Sequence, residues 1–533
     1  MDSYDYIVVG GGTAGSILAA RLSEDPRRTV LLLEAGGTGR GFWVPIPAGF
    51  SKLLAGSAFN WRFNTEPEEN TLNRPIVVPR GKGLGGSTLI NGMIFVRGQR
   101  QDYDGWAQMG ATGWGFDDVL PYFRKLETFE AADADTELRG TDGPVNIVRV
   151  DERPLLSQAF LAAAQEAGYP LNPDYNGREQ DGFGYYQVNQ KNGRRWTVVD
   201  GYLRPALGRP NLKVITRAQA LRLTLDGRRV TGVTYRRGGQ DLTATARGEV
   251  LLTAGAVQSP HLMELSGIGH PDVLKAAGIG VVHALTGVGN NYRDHFATRM
   301  NWRVKQPITL NEQTRGIALA KAVAQYFLTR TGILTLGTGL AHGFVRTRPG
   351  LEGPDVQYFF MHASYANAAD RALDHLPGMT IGVTQLRPQS IGSIHAKSAN
   401  PLEPPAIRPN FLAVEEDRAC LVAGMRIARQ VVEQKALDPY RAFEMNPGPQ
   451  VESDADFLEF ARSTGQTIYH PVGTCSMGTG PATVVDPRLR VLGMEGLRVV
   501  DASVMPTIVS ANTAAAVMMI AEKAADMIKA DAR

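Results

Sequence analysis

Gly10, Gly12 and Gly15, spaced G-x-G-x-x-G, lie between a short apolar run, YDYIVV, and a helix-like run, SILAARLSED. At a strand-to-helix junction each glycine has its own task. The first permits a tight turn, and the second lets the backbone approach a pyrophosphate closely. The third lets the helix pack on the strand with its N-terminal N–H groups aimed at phosphate oxygens. A second strand, TVLLLE, ends on Glu34, about 20 residues beyond the glycines, where a carboxylate accepts hydrogen bonds from an adenosine ribose. Strand, glycines, helix, strand and terminal acid, in that order, predict a βαβ unit that binds a dinucleotide. Either a nicotinamide or a flavin dinucleotide satisfies this pattern.

A binding turn needs a frame and a second wall. After Glu34 a Gly/Pro-rich excursion without helical periodicity runs to about Pro79, followed by RGKGLGGSTLINGMIFVRG from Arg80 to Gly98. Its glycines are interleaved with Leu84, Leu89, Ile90, Ile94 and Phe95, so the segment can be buried with its backbone against a flat ligand. NLKVITRAQALRLTLDGRRVTGVTYRRG reads as strands with a turn at Asp226-Gly227, and ARGEVLLTAGAVQSPHLMELSGIG as a strand, a Gly-Ala turn and a helix. From about Met300 to Thr464 the pattern changes. PDVQYFFMH and GMTIGVTQLRPQ suggest strands of a second sheet, and RACLVAGMRIARQVVEQ has the apolar spacing of an amphipathic helix. The aromatic run Tyr358 to His362 reads as core more than as a pocket wall. IYHPVGTCSMG, GLRVVDASVMP and ANTAAAVMMIAEKAADMIKA close the chain as loop, strand and helix.

Composition narrows the class. The 533 residues carry 56 Lys and Arg against 53 Asp and Glu, a net charge of +3, dispersed without the basic stripe that nucleic acid requires. Cys420 and Cys475 fit neither a metal site nor a CxxC pair, so they read as free thiols in a reducing compartment. No apolar stretch approaches the roughly 18 residues of a membrane span. The first strand starts within about four residues of Met1, without space for a signal peptide, so a cytoplasmic location is expected. Composition does not fix an oligomeric state.

GKGLGGSTLINGMIFVRG (Gly81 to Gly98) and GAVQSPHLMELSGIG (Gly255 to Gly269) together resemble both signatures of the glucose-methanol-choline (GMC) family of FAD-dependent alcohol dehydrogenases and oxidases. The resemblance runs end to end, through GWGFDDVLPYF, through VGNNYRDH and through the C-terminal segments. Tyr292 stands where that family usually has leucine, a change expected to be harmless. Within the family, NGRRWTVVDGYLRPALGRPNLKVITRA and VVDPRLRVLGMEGLRVVDASVMP look most like bacterial sorbose and choline dehydrogenases.

The resemblance implies an α/β fold: an FAD-binding βαβ domain with a mixed sheet (1–153, 192–299 and 466–533), and a substrate-binding domain on an antiparallel sheet with helices (154–191 and 300–465). It implies that Gly10, Gly12, Gly15 and Glu34 hold the ADP half of FAD, and that Thr13, Ala14, Ala35, Ala218, Ala254, Asn512 and Thr513 also bind the cofactor. Arg80, Gly85, Gly86 and Ser87 then belong to the cofactor loop, and Asn91, Gly92, Met93 and Ile94 line the flavin ring. Asp501 and Ala502 contact the pyrophosphate and ribityl chain.

His470 in YHPVG matches the family's active-site histidine, a suitable acceptor for an alcohol proton while hydride leaves for flavin N5. Asn512 matches the second active-site position. Its amide can donate to the substrate oxygen, or its side chain can cap the last helix, which starts near Asn512 and Thr513. That helix would point its positive end at the flavin. Relatives that attach FAD covalently carry a histidine where this chain has Ile90, so dissociable FAD is expected. The expected reaction is oxidation of a primary alcohol or sugar hydroxyl by an FAD-dependent alcohol dehydrogenase. A quinone or dye would receive the electrons; the alternative is an oxidase using O2 and producing H2O2. No metal is expected.

Overall fold

The computed structural model describes residues 3–367 and 372–532. Ser3–Val9, helix Thr13–Leu22 and Val30–Glu34 form the expected βαβ unit. Val30–Glu34 is buried along its whole length, as a parallel strand covered on both faces must be. The sheet runs Leu212–Thr216, Val30–Glu34, Ser3–Val9, Gln240–Leu252, Arg229–Arg237 and Gln219–Asp226, with Leu497–Val499 beside the end of Gln240–Leu252. It is mixed because one long strand serves two partners. The start of Gln240–Leu252 pairs antiparallel with Arg229–Arg237, while its end runs parallel between Ser3–Val9 and Leu497–Val499. The C-terminal helix, Ala514–Asp531, packs on Thr13–Leu22, bringing both ends of the chain to one core.

The second sheet is antiparallel, in the order Arg441–Asn446, Phe296–Val304, Gly378–Gln385, Val356–Met361, Ala341–Val345 and Gly182–Tyr185. Gln466–Thr467 is added beside Phe296–Val304. Helices Leu155–Glu166 and Glu415–Val432 cover one face and share its apolar core. The period of two sorts the side chains of three adjacent strands. Met300, Trp302, Tyr358, Phe360, Met379, Ile381 and Val383 enter that core, whereas Ala297, Arg299, Phe359, Met361, Thr380, Gly382 and Thr384 line a cavity on the opposite face. The aromatic run is therefore neither all core nor all pocket wall: Tyr358 and Phe360 are core, Phe359 and Met361 are wall, and His362 is buried. Among the described residues no helix is long and apolar enough to cross a membrane.

Candidate active site

One cavity extends from the glycine turn to the second sheet. At its first end Gly10 has φ +107°, and a side chain there would meet the Thr253 carbonyl oxygen at 2.7 Å. Gly15 does not line the cavity; a Cβ on it would lie 1.8 Å from the Gly10 oxygen, so this glycine seats the helix against its own turn. The two glycine-rich segments also need each other. A Cβ on Gly86 would stand 2.6 Å from the Gly12 Cα, and the Gly85 N–H donates to the Gly11 carbonyl at 2.7 Å. Gly85, like Gly15, stands behind the wall. Gly10, Gly12, Thr13, Ala14, Glu34, Ala35, Ala218 and Ala254 line this end.

Glu34 is also a structural anchor. Its carboxylate accepts backbone N–H groups from Gly11 (2.8 Å), Gly36 (2.7 Å) and Gly83 (2.9 Å), joining the turn, its own strand end and the second glycine segment. Burial raises its pKa, opposed by those bonds. Asp501 plays a similar part for the C-terminal return. It accepts from the Gly255 N–H (2.9 Å), Ser259 Oγ (2.6 Å) and the Ser503 N–H (2.8 Å), with Ala502 beside it in the wall.

Arg80, Gly86, Ser87, Asn91, Gly92, Met93 and Ile94 form the middle of the cavity. Arg80 donates to Ser87 Oγ at 2.8 Å and to the Tyr469 carbonyl at 2.9 Å, tying this loop to the segment that carries His470. Arg195, which the sequence reading did not single out, donates to the carbonyls of Thr88 and Asn91 and to Asn91 Oδ1. It is a buried guanidinium clamping the loop, and burial brings its pKa down to about 9.

The far end of the cavity holds His470 and Asn512, whose Nε2 and Nδ2 lie 3.2 Å apart. His470 Nδ1 faces His295 Nδ1 at 3.0 Å, and His295 Nε2 faces the Leu386 carbonyl at 3.0 Å. A carbonyl only accepts, and burial keeps both imidazoles neutral by pushing their pKa values down, to about 4 for His295. His295 must therefore carry its proton on Nε2 and present a bare Nδ1. His470 must then donate from Nδ1, which leaves its Nε2 as an unprotonated acceptor facing the cavity. Asn512 is oriented to match: its Oδ1 accepts from Gln357 Nε2 at 3.3 Å, so its Nδ2 points at that acceptor. Every proton in the chain from Leu386 to Gln357 is assigned by the group at its end.

Below the ring, Asp294 Oδ1 accepts the His470 backbone N–H at 2.8 Å, while Oδ2 accepts from Thr467 Oγ1 (2.5 Å) and Tyr292 Oη (2.9 Å). Burial pushes Asp294 up to about 6 against those bonds. Tyr292 thus supplies a hydroxyl that leucine would lack. Tyr469, at φ +75°, turns the chain so that His470 enters the cavity. The cap of the last helix is Thr513, without a side-chain hydrogen bond, and not Asn512, whose amide is held by His470 and Gln357. Thr513 and Ala514 bring the helix N-terminus to the cavity wall.

His295 lies in VGNNYRDH, a stretch legible as a motif, but nothing in it showed which ring it would meet. Gln357 gave no signal beyond its place in an alternating strand.

The residues present fit FAD. The glycine turn offers backbone N–H groups and a helix N-terminus at one end, the loop 91–94 offers a flat wall, and a proton acceptor stands at the other end. Family models described as GMC oxidoreductase match residues 4–297 and 388–521. The chain belongs to the GMC oxidoreductase family and is an FAD-dependent oxidoreductase. It is 41% identical to mitochondrial choline dehydrogenase of Homo sapiens, over 99% of this chain and 90% of that protein. It is 40% identical to an alcohol dehydrogenase (acceptor) of Pseudomonas putida, over 98% and 95%. Among solved structures, pyridoxine 4-oxidase from Mesorbium loti superposes with a TM-score of 0.88 at 29% identity, over 99% of each chain.

Proposed function

We propose that this enzyme oxidises a primary alcohol or sugar hydroxyl to the aldehyde or ketone, with His470 Nε2 as the base. The bare Nε2 fixed by His295 and Leu386 carries the reading. FAD, when bound, supplies the hydride acceptor. The alcohol displaces the Asn512 N–H from the His470 Nε2 lone pair, the hydroxyl proton passes to Nε2, and the Asn512 amide donates to the oxygen as its negative charge grows. Proton uptake places positive charge on His470, whose backbone N–H is held by the Asp294 carboxylate. The discontinuous division at 1–153, 192–299 and 466–533 against 154–191 and 300–465 assigns the first group to cofactor and the second to substrate, with Phe296–Val304 crossing between them.

His470→Ala should retain FAD and lose about 10²-fold or more in anaerobic flavin reduction, the scale of general-base help. Reduction within a few-fold of wild type removes His470 from the mechanism. Because burial, His295 and Arg80 depress the His470 pKa, the acid limb of flavin reduction should lie below pH 6.5. An acid limb at or above 6.5 contradicts the assignment. For the acceptor we favour a quinone or dye, as the acceptor-named alcohol dehydrogenase relative suggests, while relatives named oxygen-dependent choline dehydrogenase fit the oxidase alternative. Peroxide production in air at a rate comparable to dye reduction would make the enzyme an oxidase instead.

A further inference from the structure

The substrate side of the cavity is a sheet face, and its rows give a scale. Gln357, Thr384 and Ala297 are paired across three strands, and Gln357 holds Asn512, so this row is nearest the base. The next row on the same face is Phe359, Gly382 and Arg299. Two residues along a strand advance about 6.8 Å. Gly382 has no side chain, and a Cβ there would already touch the Phe359 Cβ at 3.5 Å. Between the ring of Phe359 and the stem of Arg299 the face is therefore a shallow trough that leads away from His470.

Among the described residues Arg299 has one polar contact to protein, Nη1 to Gln466 Oε1 at 3.0 Å. No carboxylate among them lies within ion-pair distance of it, whereas Arg303, two rows beyond Arg299 on the same strand, is paired with Asp374 at 2.8 Å. The acids that line the cavity, Glu34 and Asp501, belong to its nucleotide end and are engaged by backbone and serine donors. Among the described residues the substrate side thus presents a cation without a counter-charge. Thr384, fully buried in the row nearest the base, adds a hydroxyl with no partner among the described residues. Buried polar atoms normally have partners, and one that faces a cavity marks a place for a ligand atom.

We propose that the alcohol is a hydroxy acid whose carboxylate is held by Arg299. A guanidinium that has spent one N–H on a neutral amide keeps its other donors for a planar anion, and a bidentate pair with carboxylate is the arrangement it fits best. Arg299 stands one row, about 6.8 Å of backbone, beyond the row nearest the base, so the carboxylate and the carbinol are separate ends of the substrate, with the intervening methylenes in the trough beside Phe359. A quaternary ammonium group in the same place would face a like charge and find no acid among the described residues lining that end of the cavity. This assignment rests on His470 as the base, which fixes the end of the cavity where the carbinol sits.

The test is anaerobic flavin reduction in the holoenzyme by three alcohols of one length: 6-hydroxyhexanoate, 1-hexanol and (5-hydroxypentyl)trimethylammonium. Wild type should prefer the carboxylate to hexanol by at least tenfold in second-order rate constant, and hexanol to the ammonium. Arg299→Gln should bring the carboxylate-to-hexanol ratio to within about threefold of one, Arg299→Glu should invert the order of the charged pair, and Arg299→Lys should keep part of the preference. Hexanoate should inhibit hexanol oxidation competitively, at least tenfold more weakly in Arg299→Gln. Flavin reduction by all three alcohols with ratios unchanged in Arg299→Gln overturns this assignment and leaves His470 as base. No reduction by any of the three, with reduction by a sugar under the same conditions, overturns this assignment and leaves the alcohol reading; no reduction by the sugar either overturns both.

Discussion

Replacing His295 tests the proton chain without touching its reactive end. His295→Leu keeps a buried apolar side chain but removes the acceptor that faces His470 Nδ1 at 3.0 Å. The His470 N–H is then left in a dry site, where an unsatisfied polar group costs about 1–3 kcal/mol. The ring can escape that cost by moving its proton to Nε2, the atom that must be bare. Losing 1–3 kcal/mol of preference for the competent tautomer slows proton abstraction about 5- to 150-fold, at roughly 1.4 kcal/mol per decade. His295→Gln should restore most of the rate, because its amide oxygen can accept from His470 while its NH2 donates to the Leu386 carbonyl, repeating the polarity of the imidazole. The measurement is stopped-flow flavin reduction at saturating alcohol, with FAD content and melting temperature as controls for folding. If both variants fold, bind FAD and reduce it at the wild-type rate, the tautomer argument is wrong. If both are slowed equally, His295 contributes packing and not proton order.

Two further outcomes follow from buried groups. His342 is fully buried among Tyr175, Tyr186 and Phe344, with neither ring nitrogen partnered among the described residues, and burial lowers its pKa from 6.5 to about 3. Its folded form resists protonation, so stability is lost as pH falls below 6.5. At pH 5 this one group costs about 2 kcal/mol, from 1.5 units at 1.36 kcal/mol each. In urea melts the difference in stability between pH 7.5 and pH 5 should therefore shrink by about that amount in His342→Phe; equal differences in the two proteins refute it. Ile90 lines the cavity and carries no nucleophile, so acid or heat precipitation should release all the FAD, and the mass of the unfolded chain should equal that of the polypeptide alone. A chain heavier by one FAD would place the covalent bond on another residue.

The amino-acid sequence by itself determined the nucleotide end. Its chemistry is local: a turn needing φ +107° at Gly10 and a helix start at Thr13 are set by residues a few positions apart. The same holds for the strands around the Asp226-Gly227 turn and for the helix after Gly255. Long-range facts were different in kind. That Gly12 and Gly86 touch backbone to backbone helps explain why both segments are glycine-rich, yet neither pattern alone showed that the two meet. Whether Asn512 caps a helix or orients a base depended on the side-chain direction at one turn, and the fold gave the cap to Thr513. His295 and His470 are 175 residues apart, and Gln357 reaches Asn512 from another sheet. Strand register decided these meetings, because one residue of slip turns a side chain from the cavity to the core. It put Phe359 in the wall and Phe360 in the core, and it left Arg299 facing the cavity with no acid beside it among the described residues.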